Sequence, residues 1–75
     1  MFDAAKFIAK LEGLGASLTA VQLQDGSAHI SRKFKPGAYK AQIEALWREQ
    51  VEPFPERQRA IGIILVKRSR HGAGL

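Results

Sequence analysis

The chain has 75 residues, of which 45% are hydrophobic and 25% are charged, and it contains no cysteine. This composition is typical of one small globular domain, and the lack of cysteine excludes a disulfide framework, a thiolate nucleophile and a cysteine-based zinc site. Twelve Lys and Arg residues against seven Asp and Glu residues give a net charge of +5. That charge favours an anionic partner, either an acidic protein surface or a nucleic acid.

A helix is predicted first, beginning after Asp3. Asp3 is a favourable N-cap, and the apolar residues after it fall at helical spacing: Ala4, Phe7, Ile8 and Leu11. Phe2 before the cap and Phe7 within the helix have the spacing of a hydrophobic staple. Gly13 and Gly15 are expected to end this helix.

A β-hairpin is predicted next, around the dipeptide Asp25-Gly26. This dipeptide is typical of a two-residue type I′ turn, in which both central residues have positive φ. Counting outward from that turn gives the residue pairs expected to face the core: Leu23 with Ala28, and Val21 with Ile30. By the same alternation, Phe34 on the second strand points inward.

A second helix is predicted after Pro36-Gly37, with one apolar stripe made of Tyr39, Ile43, Leu46 and Trp47. Trp47 and Tyr39 are expected to pack in the core, because they lie on the same stripe as the aliphatic residues. Pro53 should end the helix. Phe54, in the connector that follows, either covers the core edge or stands exposed.

The element at residues 55–70 is ambiguous. Its apolar run from Ala60 to Val66 suits a buried third strand, whereas Pro55 at the first turn and Gly72 as a C-cap favour a helix. Gly62 costs a helix about 1 kcal/mol relative to alanine. We predict a helix, followed by a flexible tail over residues 72–75. The expected fold is one small α+β domain over residues 1–75: a helix, a two-stranded antiparallel hairpin, a helix and a C-terminal helix, with a third strand as the alternative last element.

No set of residues suggests catalysis or cofactor binding. His29 and His71 are far apart in the sequence, and the serines lie in no nucleophile motif, so neither a metal site nor enzyme activity is expected. The N-terminal residues are interrupted by charges, unlike a signal peptide, and the run from Ala60 to Val66 is too short to span a membrane. We therefore expect a soluble, cytoplasmic protein without a membrane partner; its oligomeric state is not predicted.

Two basic groups are the candidate binding residues. The first, on the second hairpin strand, is expected to bind a partner: Arg32, Lys33 and Lys35. The second could bind nucleic acid: Arg57, Arg59, Lys67, Arg68 and Arg70. Both groups also have structural explanations, since basic residues complement a helix C-terminus and protect a strand edge. The leading hypothesis is a non-catalytic module that docks on or inhibits an acidic protein or peptide through the hairpin; the alternative is a nucleic-acid-binding accessory protein.

The segment "FIAKLEGLGASLTAVQLQDGSAHISRKFKPGAYKAQIEALW", residues 7–47, resembles the small docking domains at the termini of hybrid peptide/polyketide synthases, of the TubC N-terminal type. The shared features are a helix ending in "LEGLG", a short hairpin, "PGA" and a second amphipathic helix. The resemblance covers little more than half of the chain. It implies protein docking, with charged residues of the second strand offered to a partner's terminal peptide, and the matching positions are Arg32, Lys33 and Lys35.

Overall fold

The computed structural model describes the backbone of residues 1–73 and the side chains of residues 1–70. Its elements in chain order are α1 (Ala4–Gly13), β1 (Ala16–Gln22), β2 (Ala28–Phe34), α2 (Lys40–Gln50) and α3 (Pro55–Ala73). The predicted α+β domain is confirmed, and its last element is a helix. Helix α3 includes residues 72 and 73, the first half of the predicted tail, and the other half lies outside the described residues.

Helix α1 begins as the sequence predicts. The Asp3 carboxylate accepts a hydrogen bond of 3.1 Å from the Lys6 backbone N–H, and the ring centroids of Phe2 and Phe7 lie 5.5 Å apart. The cap satisfies a backbone donor that the first helical turn cannot satisfy itself, and the staple fixes the direction from which the chain enters. Residues Phe7, Ile8 and Leu11 are buried.

The turn from α1 into β1 depends on Gly15. Its φ is +104°, and a Cβ built on it would lie 2.7 Å from the Cα of Ala38. Glycine is therefore required twice here, for its backbone conformation and for the close approach of the segment that leads into α2. Two backbone hydrogen bonds hold this approach: Lys35 N–H donates to the Gly15 carbonyl at 2.8 Å, and Tyr39 N–H donates to the Leu14 carbonyl at 3.0 Å.

The hairpin forms where predicted, but the predicted type I′ turn is wrong. Gly26 has a φ of +89°, and no described residue other than glycine has a positive φ, so Asp25 does not meet the type I′ requirement. Gly26 N–H donates to the Leu23 carbonyl at 3.0 Å, and Leu23 N–H donates to the Ser27 carbonyl at 2.7 Å. These bonds define a three-residue loop, residues 24–26, that ends in a glycine bulge.

Asp25 explains why this turn forms. Its carboxylate accepts hydrogen bonds from the backbone N–H of Ser27 at 3.0 Å and from the Ser27 hydroxyl at 2.6 Å. These contacts stabilise the charged form and hold the pKa of Asp25 below its ordinary value, the hydroxyl being the larger cause. An Asp that bonds to the residue two positions ahead favours the longer loop over the two-residue turn.

The extra loop residue shifts the strand register by one, so the predicted residue pairs are also wrong. The observed partners are Ala16 with Phe34, Leu18 with Arg32, Ala20 with Ile30 and Val21 with His29. Because a one-residue slip reverses the faces of a strand, β1 buries Ala16, Leu18 and Ala20. Val21 and Leu23, predicted to face the core, are 64% and 47% exposed. Phe34 is half-buried and packs against the core, which confirms its predicted inward direction.

One face of the hairpin packs against the helices. The buried core comprises Phe7, Ile8, Leu11, Ala16, Leu18, Ala20, Ile43, Trp47, Val51, Ile61 and Leu65. Gly62 of α3 lies against β2, and a Cβ built on it would come within 2.9 Å of the Ala28 Cβ. The residue that weakens the helical pattern of α3 thus lets this helix approach the sheet.

The aromatic residues near α2 have different environments. Trp47 is 2% exposed, which confirms its place in the core. Tyr39 is 64% exposed, so its predicted core position is wrong: α2 begins at Lys40, and Tyr39 is the N-cap, outside the helical stripe. Phe54 lies at the exposed margin, with the guanidinium carbon of Arg57 4.2 Å from its ring centroid.

Candidate binding surfaces

Arg32 is part of the packing between β2 and α2. Strand alternation turns it to the same face as Ile30 and Phe34, and its side chain is only 23% exposed. Its guanidinium carbon lies 4.5 Å from the centroid of the Trp47 ring, and its Nη2 donates to Glu44 Oε2 at 2.9 Å. Arg32 therefore closes the edge of the core above Trp47.

Lys33 and Lys35 are both exposed and lie apart from Arg32. Lys33 projects from the face of the hairpin that points away from the helices, opposite Ser17, and Lys35 follows directly after β2. Neither lysine forms an ion pair with a residue whose side chain the structure describes. The structure thus divides the predicted partner-binding group into one arginine that packs inside and two lysines that face solvent.

The face that carries Lys33 is open. We call it the outer hairpin face, and it consists of Ser17, Thr19, Val21, His29, Ser31 and Lys33. All are exposed except Ser31, which is half-buried.

The edge of β2 also has hydrogen-bonding groups that its partner strand does not use. Leu23 N–H bonds to Ser27 and Lys35 N–H bonds to Gly15, and in an antiparallel ladder every second residue pair exchanges such bonds. The intervening residues therefore direct their backbone N–H and C=O groups outward: Ala28, Ile30, Arg32 and Phe34. The described sheet has two strands, so β2 has β1 on one side and no strand on the other.

The predicted nucleic-acid group does not form one surface. The Arg57 guanidinium carbon lies 4.6 Å from the Phe2 ring centroid and 4.2 Å from that of Phe54. Arg57 Nη1 also donates to the Gln50 carbonyl at 2.9 Å. Arg68 donates to both carboxylate oxygens of Glu12, at 3.2 and 3.3 Å. These two arginines connect distant parts of the chain.

The remaining three basic residues of that group, Arg59, Lys67 and Arg70, lie together along a groove between the hairpin tip and α3. The groove encloses about 630 Å³. Its apolar lining includes Ala28, Ile63 and Val66, and Ile63 is 56% exposed. At one end, Arg70 donates to Gln22 Oε1 at 2.7 Å. We call this region the tip groove.

The residue spacing that lines the tip groove is visible in the sequence, although it was not among the predictions. Arg59, Ile63, Lys67 and Arg70 are separated by four, four and three residues, which places them on one stripe of a helix. The helix predicted over this segment already places these residues on one stripe. Recognising the groove requires that the hairpin tip lie beside it, and only the fold supplies that.

Groups suited to catalysis are dispersed. His29 lies on the outer hairpin face, across from Val21, and His71 lies outside the residues whose side chains are described. Within the described part of the chain, no three His, Asp or Glu side chains are grouped so as to hold a metal ion. Over the same residues, none of the helices combines the length and the apolar character that a membrane span needs.

Comparison of the chain with protein families, with curated proteins and with solved structures gave no match.

Proposed function

We propose that the protein is a non-catalytic docking module that holds an extended acidic peptide along β2. The observation that supports this most is the open edge of β2, with Lys33 and Lys35 exposed beside it. An extended peptide can add a strand to such an edge, gaining affinity from main-chain hydrogen bonds and specificity from its side chains.

The two lysines give the site its preference for acidic partners. They project at fixed spacing from a hairpin whose other face is packed on the helices, so little side-chain and backbone order has to be created on binding. Lysines on an edge strand also oppose pairing with basic strands. A strand that carries carboxylates is attracted to these lysines, whereas a basic strand is repelled.

Arg32 has a supporting role in this proposal. Because it contacts Trp47 and Glu44, it holds β2 against α2 and does not extend towards a partner. Among the residues named from the sequence, Lys33 and Lys35 remain as partner contacts. A triple variant of Arg32, Lys33 and Lys35 would lose stability as well as binding, so the two effects could not be separated.

The test is the fluorescence anisotropy of a fluorescein-labelled, glutamate-rich peptide titrated with the protein. The double variant Lys33→Gln, Lys35→Gln should weaken binding at least tenfold. A matched control, Lys6→Gln with Lys10→Gln, makes the same charge change on exposed positions of α1 and should weaken binding less than threefold. Equal losses in the two variants would mean that net charge alone attracts the peptide, and would refute docking at β2.

Nucleic acid is tested in the same experiment with single-stranded and duplex oligonucleotides. Binding to phosphates releases counterions and weakens steeply as salt rises. An oligonucleotide that binds more tightly than the peptide, with a steep salt dependence that the α3 cations govern, would replace the docking proposal with the nucleic-acid one.

A further inference from the structure

We propose that the tip groove is a second binding site, which takes an acidic peptide segment carrying bulky aliphatic side chains. The only residue of β2 that lines this site is Ala28, at the start of the strand, and neither Lys33 nor Lys35 lines it. It lies at the turn end of the hairpin, whereas those lysines lie at the opposite end of β2. The two proposals can therefore succeed or fail separately.

The charges of the groove are arranged along α3. At a rise of about 1.5 Å per residue, Arg59 and Lys67 are about 12 Å apart along the helix axis, and Arg70 lies about 4.5 Å further. Carboxylates on a bound segment can reach a cation at each end of this stripe. Arg59 and Lys67 form no ion pair within residues 1–70, so both can meet an incoming carboxylate.

Between those cations the groove is apolar. Ile63 lies midway between Arg59 and Lys67, with Val66 and Ala28 beside it. Gly62 also lines the groove, and its lack of a side chain lets α3 lie close to Ala28 of β2. An aliphatic side chain that enters here removes the exposed part of Ile63 from water, which provides a favourable hydrophobic contribution.

The same lining favours a peptide over a phosphate backbone. Phosphates would gain the cations but would leave Ile63 and Val66 in contact with charged groups. The Asp25 carboxylate also lines the groove at the hairpin tip and repels a continuous chain of negative charge. A segment with separated carboxylates and aliphatic residues between them fits both features.

The test compares two labelled peptides, one of glutamate and leucine and a second in which serine replaces every leucine. Ile63→Ser should weaken binding of the leucine peptide about tenfold and leave binding of the serine peptide within twofold. Val21→Ser is the control, because it removes a similarly exposed aliphatic side chain from the outer hairpin face. It should change neither affinity by more than twofold.

The location is checked by ¹H–¹⁵N NMR of the wild-type protein. The leucine peptide should shift the amide signals of Gly62, Ile63 and Lys67, and these shifts should persist in the Lys33→Gln, Lys35→Gln variant. Shifts confined to β2, or equal effects of Ile63→Ser and Val21→Ser, would overturn the proposal. So would a single-stranded oligonucleotide that shifts the same α3 signals and binds more tightly than the leucine peptide.

Discussion

Arg32→Gln separates the structural role of the β2 basic residues from their binding role. The substitution removes the guanidinium that stacks on Trp47 and bonds to Glu44. A partly buried cation–π contact contributes about 1–2 kcal/mol. The ion pair adds at most about 0.5 kcal/mol, because the Glu44 side chain is 41% exposed and solvent screens the charge.

We therefore expect Arg32→Gln to lower the free energy of unfolding by about 1–2.5 kcal/mol. A domain of this size has a total of about 4–11 kcal/mol, so the loss is a large part of it. Urea unfolding followed by the fluorescence of Trp47, the one tryptophan of the chain, measures the change directly. Far-UV circular dichroism checks that the same transition reports on the helices.

Two variants serve as controls for Arg32→Gln. Lys33→Gln should change stability by less than about 0.5 kcal/mol, because its side chain is exposed and forms no ion pair with the described side chains. Glu44→Gln removes the ion pair but keeps the stack, so its cost should lie well below that of Arg32→Gln. Equal stability of the Arg32→Gln and Lys33→Gln variants would refute the placement of Arg32 against Trp47.

Three further predictions concern the glycines at close contacts and the Asp25 carboxylate at the hairpin turn. Gly15→Ala should lower the free energy of unfolding in urea by about 2–4 kcal/mol, because Gly15 has a positive φ and the new Cβ would clash with Ala38. The control Gly13→Ala, which has open space around it, should be neutral or stabilising. Equal effects of the two variants would refute the role of Gly15 in the turn. Gly62→Ala should destabilise the protein by about 1–2 kcal/mol, although alanine has the better helix propensity. Adding Ala28→Gly should recover part of that loss. Purely additive effects of the two substitutions would contradict the close approach of α3 to Ala28. Because the pKa of Asp25 is lowered, the contribution of its carboxylate to stability is present above the ordinary value of 3.8 and is lost as pH falls through the lowered pKa. The NMR signal of the Ser27 amide should shift with this titration. A Ser27 signal that does not shift would refute the contact between Asp25 and Ser27.

Helix α1 could be predicted securely from the sequence because its cap and its periodicity agree, whereas α3 was predicted from its ends although its apolar run also suits a strand. The hairpin register could not be predicted, because Asp25-Gly26 is compatible with two turns that differ in the φ of Asp25. The hydrogen bonds from Ser27 favour the longer loop, and one extra residue then reverses the faces of β1. Local dipeptide preference is a weaker guide than the burial of a complete strand face.

The candidate site was predictable in part. The alternation that correctly turned Phe34 inward also turns Arg32 inward, so the division of the basic group was already present in the sequence. The tip groove was not predictable in the same way. Gly62 weakened the helical pattern of α3 for a reason that lies on another element, namely the space it leaves for Ala28.

The late position of α3 has a consequence for how the chain folds during synthesis. Ile61 and Leu65 of α3 complete the core, and the contact between Glu12 and Arg68 joins residues 56 positions apart. While the ribosome has released only α1, the hairpin and α2, β1 lacks one of the two helices that pack against it, and the edge of β2 is open to neighbouring nascent chains. Lys33 and Lys35 repel such pairing during this interval, since charged edge residues oppose association between strands of the same kind. The core is therefore complete only once α3 has been translated.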